Sequence, residues 1–360
     1  MTRNIHSLAR CLAILLLTTG FAACNKYDKH YQIYELWVGG VKVTTRNQSD
    51  ILGDGTVCYE GNQDEGTLRL KNAHIAENID PEAEAVVISH LKNLTIQLEG
   101  ENYIGLGEHT PVNGISTSNL TITGDGSLSV GARVSCVRAQ TMRIESGKID
   151  AYIKTPDEEL ATFHCVALWA QDLLSIQGGD ITVHYIASFS PISYGLYSVK
   201  DVEIHGGNIY IDPNESRLMA VGLIASLHLK VTGGKISVYG FDDAMNAKFT
   251  HISGGEILAQ SLDYPLDGVC RLAIKTEVTG GVLTISDMQH NPKSVKLFAN
   301  DLQLSGMQIV SGAKEASAVK REIKFFSVSM FSSRCALSRI YLPFSRPRRA
   351  CTSLASMSAR

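Results

Sequence analysis

One phrase returns down the middle of this chain: a run with an apolar residue at every second position, a pair of glycines, then a second such run. It spans Leu174 to Val183 around Gly178-Gly179, and returns from Val202 to Ile211 around Gly206-Gly207. Further copies centre on Gly233-Gly234, Gly254-Gly255 and Gly280-Gly281, with looser ones near Gly124, Gly147 and Gly306. The copies recur at roughly 21 to 32 residues, the spacing of solenoid repeats.

Apolar residues at alternate positions line one face of an extended strand. The glycines between two such runs supply a bend that a Cβ would resist. Strands this short cannot cover their own apolar face, so stacking the repeats buries it and pairs each strand with its equivalent. A second column keeps step with the glycines, a small residue followed by an aliphatic one. It comprises Gly114-Ile115, Cys136-Val137, Ala167-Leu168, Gly195-Leu196, Gly222-Leu223, Ala244-Met245 and Gly268-Val269. Another small residue stands two positions on, at Thr117, Ala139, Ala170, Ser198, Ala225 and Ala247. The phrase predicts a third strand or corner in every repeat. The expected fold is all-β, a parallel β-helix of about eight coils. An antiparallel sandwich also has many short strands but does not require one phrase at one register. Period-2 alternation and the density of Gly, Thr, Val and Ile exclude a helical array.

The ends of the chain differ from its middle. Residues 1–23 read as a secretory signal, with Arg3 and Arg10 before an apolar stretch, Leu12 to Leu17, too short to cross a bilayer. Cys24 directly after Ala22-Ala23 resembles the lipobox of bacterial lipoproteins, in which the thiol is acylated; simple cleavage nearby with a free Cys24 is the competing reading. Residues 24–33 form a polar tether, 34–78 an N-terminal β module that opens with a hairpin-like pair of strands, and 79–319 the parallel β-helix. The stretch 320–360 has no acidic residue after Glu322 and many Arg and Ser. It reads either as a basic anchoring tail or as sequence foreign to the domain, disordered or produced by a shifted reading frame.

The formal net charge of −3 gives no basic field for nucleic acid. No apolar run beyond the signal is long enough for a transmembrane helix in the mature protein. Cys58, Cys136, Cys165 and Cys270 lack CxxC spacing, and Cys136 sits in the small-residue column as a buried side chain would. No essential disulfide framework is expected, although one pair is compatible with export.

The phrases Leu36 to Thr44, Gly53 to Tyr59 and Thr67 to Ile75, followed by the Gly-Gly repeats, resemble a family of secreted bacterial carbohydrate-binding-domain proteins. That family is related in fold to pectate-lyase-type β-helices, and the resemblance spans residues 34 to 310. It implies a right-handed parallel β-helix, bound Ca²⁺ and affinity for acidic or cellulosic plant polysaccharide.

Two constellations are candidates for the site. On the small-residue alignment, Asp243 and Asp267 fall at one position in successive repeats, about 5 Å apart by strand spacing. Two ionised carboxylates so placed repel unless a cation lies between them, and Ca²⁺ suits such oxygen donors. Asp242 and Asp263 would complete the shell. Asp242 and Asp243 could instead bond the backbone N–H groups of a tight corner. The second constellation is aromatic: Trp169, Tyr185, Tyr194, Tyr197, Tyr210 and Tyr239, several at positions that alternation turns outward. Aromatic faces stack on sugar rings, and such residues are also ordinary on strand surfaces.

Lys248, Arg271 and Lys275 lie near the Asp cluster, where β-elimination of a uronate would place its base, but nothing singles out any of them. No Ser-His-Asp order, GxSxG or HExxH is present. The reading is therefore a lipid-anchored, non-catalytic polysaccharide-binding protein of the bacterial cell envelope. A Ca²⁺-dependent polysaccharide lyase and a structural or adhesive surface protein are the alternatives.

Overall fold

The alternating runs are strands, and the described residues contain no helix. The structure, a computed structural model, describes residues 31–76, 83–107, 110–155, 164–187, 193–212, 220–240, 244–261 and 270–287. It also describes the strands Leu297–Ala299, Leu302–Leu304 and Gln308–Ser311. The signal, Cys24, Asp242, Asp243, Asp263, Asp267 and the basic tail lie outside the described residues.

Each repeat gives three strand segments, as the two columns predict. In one repeat they are separate: Ser193–Ser198, Asp201–Ile204 and Asn208–Asp212. In the flanking repeats the first two run together as long strands, Cys165–Ile176 and Ala220–Val231. The first two segments of every repeat join a sixteen-stranded sheet, and the third joins a ten-stranded sheet. From Asn113–Gly124 onward every pairing is parallel and links a strand to its counterpart one repeat away.

Glycine chemistry explains why the repeats stack at the corner between the second and third segments. The second glycine of each pair adopts a left-handed conformation, with φ of +86° at Gly179, +85° at Gly207, +90° at Gly234 and +89° at Gly255. The first is required by space. A Cβ on Gly178 would stand 2.7 Å from the Glu145 carbonyl oxygen, and one on Gly206 2.6 Å from that of Gln177. This close approach lets hydrogen bonds cross the corner. Asn208 N–H donates to Gly179 O and Lys235 N–H to Gly207 O, both at 2.9 Å, and Thr232 N–H donates to Ile204 O at 2.8 Å.

Where the first glycine is replaced, a side chain takes over. Ser146 Oγ accepts from Gly124 N–H and donates to Gly124 O, each at 2.9 Å. Nearer the N-terminus, Asn72 itself adopts φ +53°, a conformation that Asn tolerates better than most residues. Buried Asn102 accepts from Ala73 N–H at 2.9 Å and donates to Ser127 O at 3.0 Å.

The core is a set of vertical columns. Ile122, Ile144, Ile176, Ile204, Val231 and Ile252 stack in register, as do Ile149, Ile181, Ile209, Ile236 and Ile257. All are buried, each worth about 1.5–3 kcal/mol against exposure. The small-aliphatic column is equally regular from Ile115 through Val137, Leu168, Leu196 and Leu223 to Met245. Its next member departs from the sequence alignment. Met245 pairs with Cys270, one residue beyond Val269. That register puts Leu272, rather than Arg271, level with Ala247, continuing an apolar column where the alignment would have placed a cation. The alignment that levels Asp243 with Asp267 is therefore not the one these strands use.

The N-terminal strands enter the same sheets. Ile33–Val38 pairs antiparallel with Val41–Thr44 and with Ala85–Ser89, and Val57–Gly61 pairs antiparallel with Glu65–Lys71. Glu65–Lys71 then pairs parallel with Asn93–Glu99, and His74–Ile75 parallel with Glu101–Ile104. One hydrophobic cluster runs from Tyr34 through to Ala259. Cys58 and Cys136 are free thiols, the latter buried, and buried Cys165 donates its Sγ–H to Arg133 O at 3.2 Å.

Gly207→Ala and Gly53→Ala separate the two demands on glycine. Gly53 has φ +79° with open space within 4 Å of where a Cβ would stand, whereas a Cβ on Gly207 would stand 2.5 Å from Gly179 O. Urea unfolding is expected to show a loss of about 1–2 kcal/mol for Gly53→Ala, the left-handed penalty, and a clearly larger one for Gly207→Ala. Equal losses would mean that the corner has room to spare.

Candidate functional site

Alternation within a strand decides which side chains leave the core, and register decides which of them meet. On the ten-stranded sheet, Ile149, Ala151 and Ile153 point inward, which sends Lys148, Asp150 and Tyr152 outward. Tyr152 pairs in register with His184, and their rings stack with centroids 4.7 Å apart and planes 11° apart. Further along the same face Tyr210 and Tyr239 meet edge to face at 5.5 Å. At the N-terminal end His74 and Tyr103 approach to 5.5 Å.

Polar groups are interleaved with these rings. Lys148 Nζ lies 2.9 Å from Asp150 Oδ2, a hydrogen-bonded pairing that raises the lysine's pKa. Tyr103 donates to Glu101 Oε2 at 3.1 Å, and that bond to a carboxylate raises the phenol's pKa. Asn208 Nδ2 donates to Asp180 Oδ1 at 2.7 Å. The face thus offers flat apolar surfaces framed by carboxylates, an amide and an ammonium group. Tyr210 is its most open tyrosine, at 42 % exposure.

Trp169, Tyr194 and Tyr197 lie together on the other sheet. Trp169 and Tyr197 are register partners, as the sequence alignment places them, and Tyr194 stacks on Tyr197 at 5.3 Å. The Arg138 guanidinium sits 4.6 Å from the centre of the Trp169 ring. Alternation turns these rings from the core, yet Trp169 is only 8 % and Tyr197 only 5 % exposed. They are packed rather than presented. Tyr185 is a plain correction: it continues the inward series Ile181-Val183 and is buried. The sequence reading grouped two separate surfaces as one set and omitted Tyr152, His184, Tyr103 and His74. Their signal was the outward parity within the third segment of each repeat.

A groove of about 360 Å³ lies on the second segments of the sixteen-stranded sheet. Asp201, His228 and Phe249 form one row across it, and Glu203, Lys230, His251 and Glu277 the next. His228 Nδ1 lies 2.8 Å from Asp201 Oδ1, and the His228 ring stacks on Phe249 at 5.2 Å. Among the described residues no group of three His, Cys, Asp or Glu is disposed to hold a metal.

Burial, with a smaller contribution from Tyr197, pushes the Tyr194 phenol up to about 12 from its ordinary value near 10. A pKa raised in the folded state adds stability that is intact below the unfolded value and is lost as pH rises through the folded one. Spectrophotometric titration is therefore expected to show a late phenol absent from Tyr194→Phe, and the parent's stability is expected to fall between pH 10 and 12. Loss in Tyr194→Phe of a phenol titrating at the ordinary value near 10 would instead place that ring in solvent.

Compared with known proteins, the chain matches no protein-family model, no curated protein and no solved structure, so the reading of its surfaces rests on their own geometry.

Proposed function

We propose that the repeats wind as a right-handed parallel β-helix whose ten-stranded face binds polysaccharide at the bacterial cell envelope. The coil is supported by parallel pairing of the third segments, each with its counterpart one repeat on. The binding function rests on one observation, the outward rings of the ten-stranded sheet, Tyr152 stacked on His184 and Tyr210 edge to face with Tyr239, beside the Lys148 ammonium group. Sugar rings have apolar CH faces and a polar rim, and this surface offers a partner to each. Strands about 4.8 Å apart repeat that offer along an extended ligand, which favours a polymer over a single sugar.

In this reading the chain is held at the membrane through lipid on Cys24. No helix among the described residues is long and apolar enough to cross a bilayer. Ca²⁺ would be held by carboxylates of Asp242, Asp243, Asp263 and Asp267, oxygen donors of the kind it prefers, and would accept a carboxylate from an acidic glycan.

Affinity electrophoresis against polygalacturonate and a cellulosic polymer, with and without chelator, tests the binding function. Tyr210→Ala and Tyr239→Ala are each expected to weaken binding about fivefold, roughly 1 kcal/mol. A chelator is expected to weaken binding to the acidic polymer alone. Unchanged retention in the double alanine variant would remove the aromatic face from the reading, and formation of an unsaturated uronate product would favour a lyase.

Cys24→Ser is expected to move the protein from the membrane to the soluble fraction, because one cysteine carries the anchor. Persistent membrane partition in that variant would exclude lipid at Cys24.

A further inference from the structure

The position directly before each glycine pair stands at the corner and is polar in every repeat: Gln177, His205, Thr232, Ser253 and Thr279. Two of these residues join a neighbour in a relay. Glu203 Oε2 lies 3.1 Å from His205 Nε2, and His205 Nδ1 lies 2.8 Å from Thr232 Oγ1. An ionised carboxylate only accepts, so Nε2 carries the imidazole proton. The neutral ring then has its lone pair at Nδ1, and the Thr232 hydroxyl donates to it. Carboxylate, imidazole and hydroxyl in this order are the arrangement that activates a hydroxyl as a nucleophile.

The fold supplies the rest of the setting. A Cβ on Gly233 would stand 2.5 Å from the His205 carbonyl oxygen, so the bare corner brings His205 within reach of Thr232. The chain turns sharply just beyond the hydroxyl, with φ +90° at Gly234. Neither Gly233 N–H nor Gly234 N–H donates to a backbone carbonyl among the described residues. Free N–H groups beside a nucleophile are the donors that a tetrahedral oxyanion needs. Glu203 also lines the groove of about 360 Å³, although neither His205 nor Thr232 does.

We propose that Thr232, His205 and Glu203 form a site that hydrolyses carboxylic esters. Thr232 Oγ1 attacks the ester carbonyl carbon while its proton passes to His205 Nδ1, and the oxyanion forms beside the Gly233 and Gly234 N–H groups. The bond to the alcohol oxygen then breaks, and that oxygen takes the proton from His205. Water, giving its proton to His205, attacks the acyl-threonine, releases the carboxylic acid and restores the hydroxyl. The balance is ester plus water to acid plus alcohol, with no change of oxidation state. Thr232 and His205 are the catalytic residues; Glu203 positions the imidazole and fixes its tautomer. The site does not depend on glycan binding, although an O-acylated glycan would be one source of such an ester.

The full chain is assayed with p-nitrophenyl acetate and labelled with a fluorophosphonate, and the labelled residue is located by mass spectrometry. The parent is expected to hydrolyse the ester and to carry the label on Thr232. Thr232→Val and His205→Gln are expected to lose both, with a rate loss of at least about 100-fold, while Thr232→Ser restores them. Glu203→Gln is expected to lower kcat at least tenfold at constant KM with an unchanged unfolding midpoint, a split that a merely structural role would not produce. His90→Gln controls for catalysis by surface imidazole and retains the parent rate. An inert parent, label at another residue, or hydrolysis unaffected by Thr232→Val would each overturn the proposal.

Discussion

The contact on which the rest of this structure depends is the approach of backbone to backbone at the glycine corner. The second glycine meets the carbonyl of the equivalent glycine one repeat earlier so closely that no β-carbon fits between them. Hydrogen bonds from Asn208, Lys235 and Glu256 cross at that point and fix the vertical step. With the step fixed, the isoleucine columns fall into register without further instruction. A strand has side-chain period 2, so a slip of one residue would turn a whole column outward; the corner prevents that slip. The core is therefore the result of the register as much as its cause.

The same constraint explains why the outward faces carry specific chemistry. Parallel in-register stacking brings together residues that are 27 or 28 positions apart, such as His205 with Thr232 and Asp180 with Asn208. Each face becomes a lattice on which side chains are set at strand spacing. On the ten-stranded sheet the lattice holds stacked rings and hydrogen-bonding groups. On the second segments it holds paired imidazoles and carboxylates. On the first segments the rings of Trp169 and Tyr197 are filled in by Arg138 and Tyr194 and do not face solvent.

The period, the strands and most of the register were legible because glycine pairs and alternating Ile, Leu and Val act through backbone sterics and parity, which are local. The alignment failed between Met245 and Cys270 because the intervening segment changes length, and a small-aliphatic phrase cannot distinguish Gly268-Val269 from a partner one residue on. Parity also assigned Trp169 and Tyr197 to the outer side, but it carries no information about what packs over them. The ring pairs at Tyr152 and Tyr210 needed parity within the third segment combined with exact vertical register. The relay from Glu203 to Thr232 was hidden by the same gap: polar residues before each glycine pair are visible in the sequence, while which of them touch is decided by the step between repeats.

The bonds at the glycine corner all run one way. Gln177, His205, Thr232, Ser253 and Thr279 each donate an N–H to a carbonyl of the repeat before, and so do Asp180, Asn208, Lys235, Glu256 and Val282. Peptide dipoles that alternate elsewhere in a sheet are here aligned head to tail, as they are in a helix. The corner is consequently an electrical column, with amide hydrogens directed toward the earlier repeats and carbonyl oxygens toward the later ones. Whatever terminates the stack meets a different sign of partial charge at each end, so the two ends of the column are not interchangeable as surfaces for a further strand.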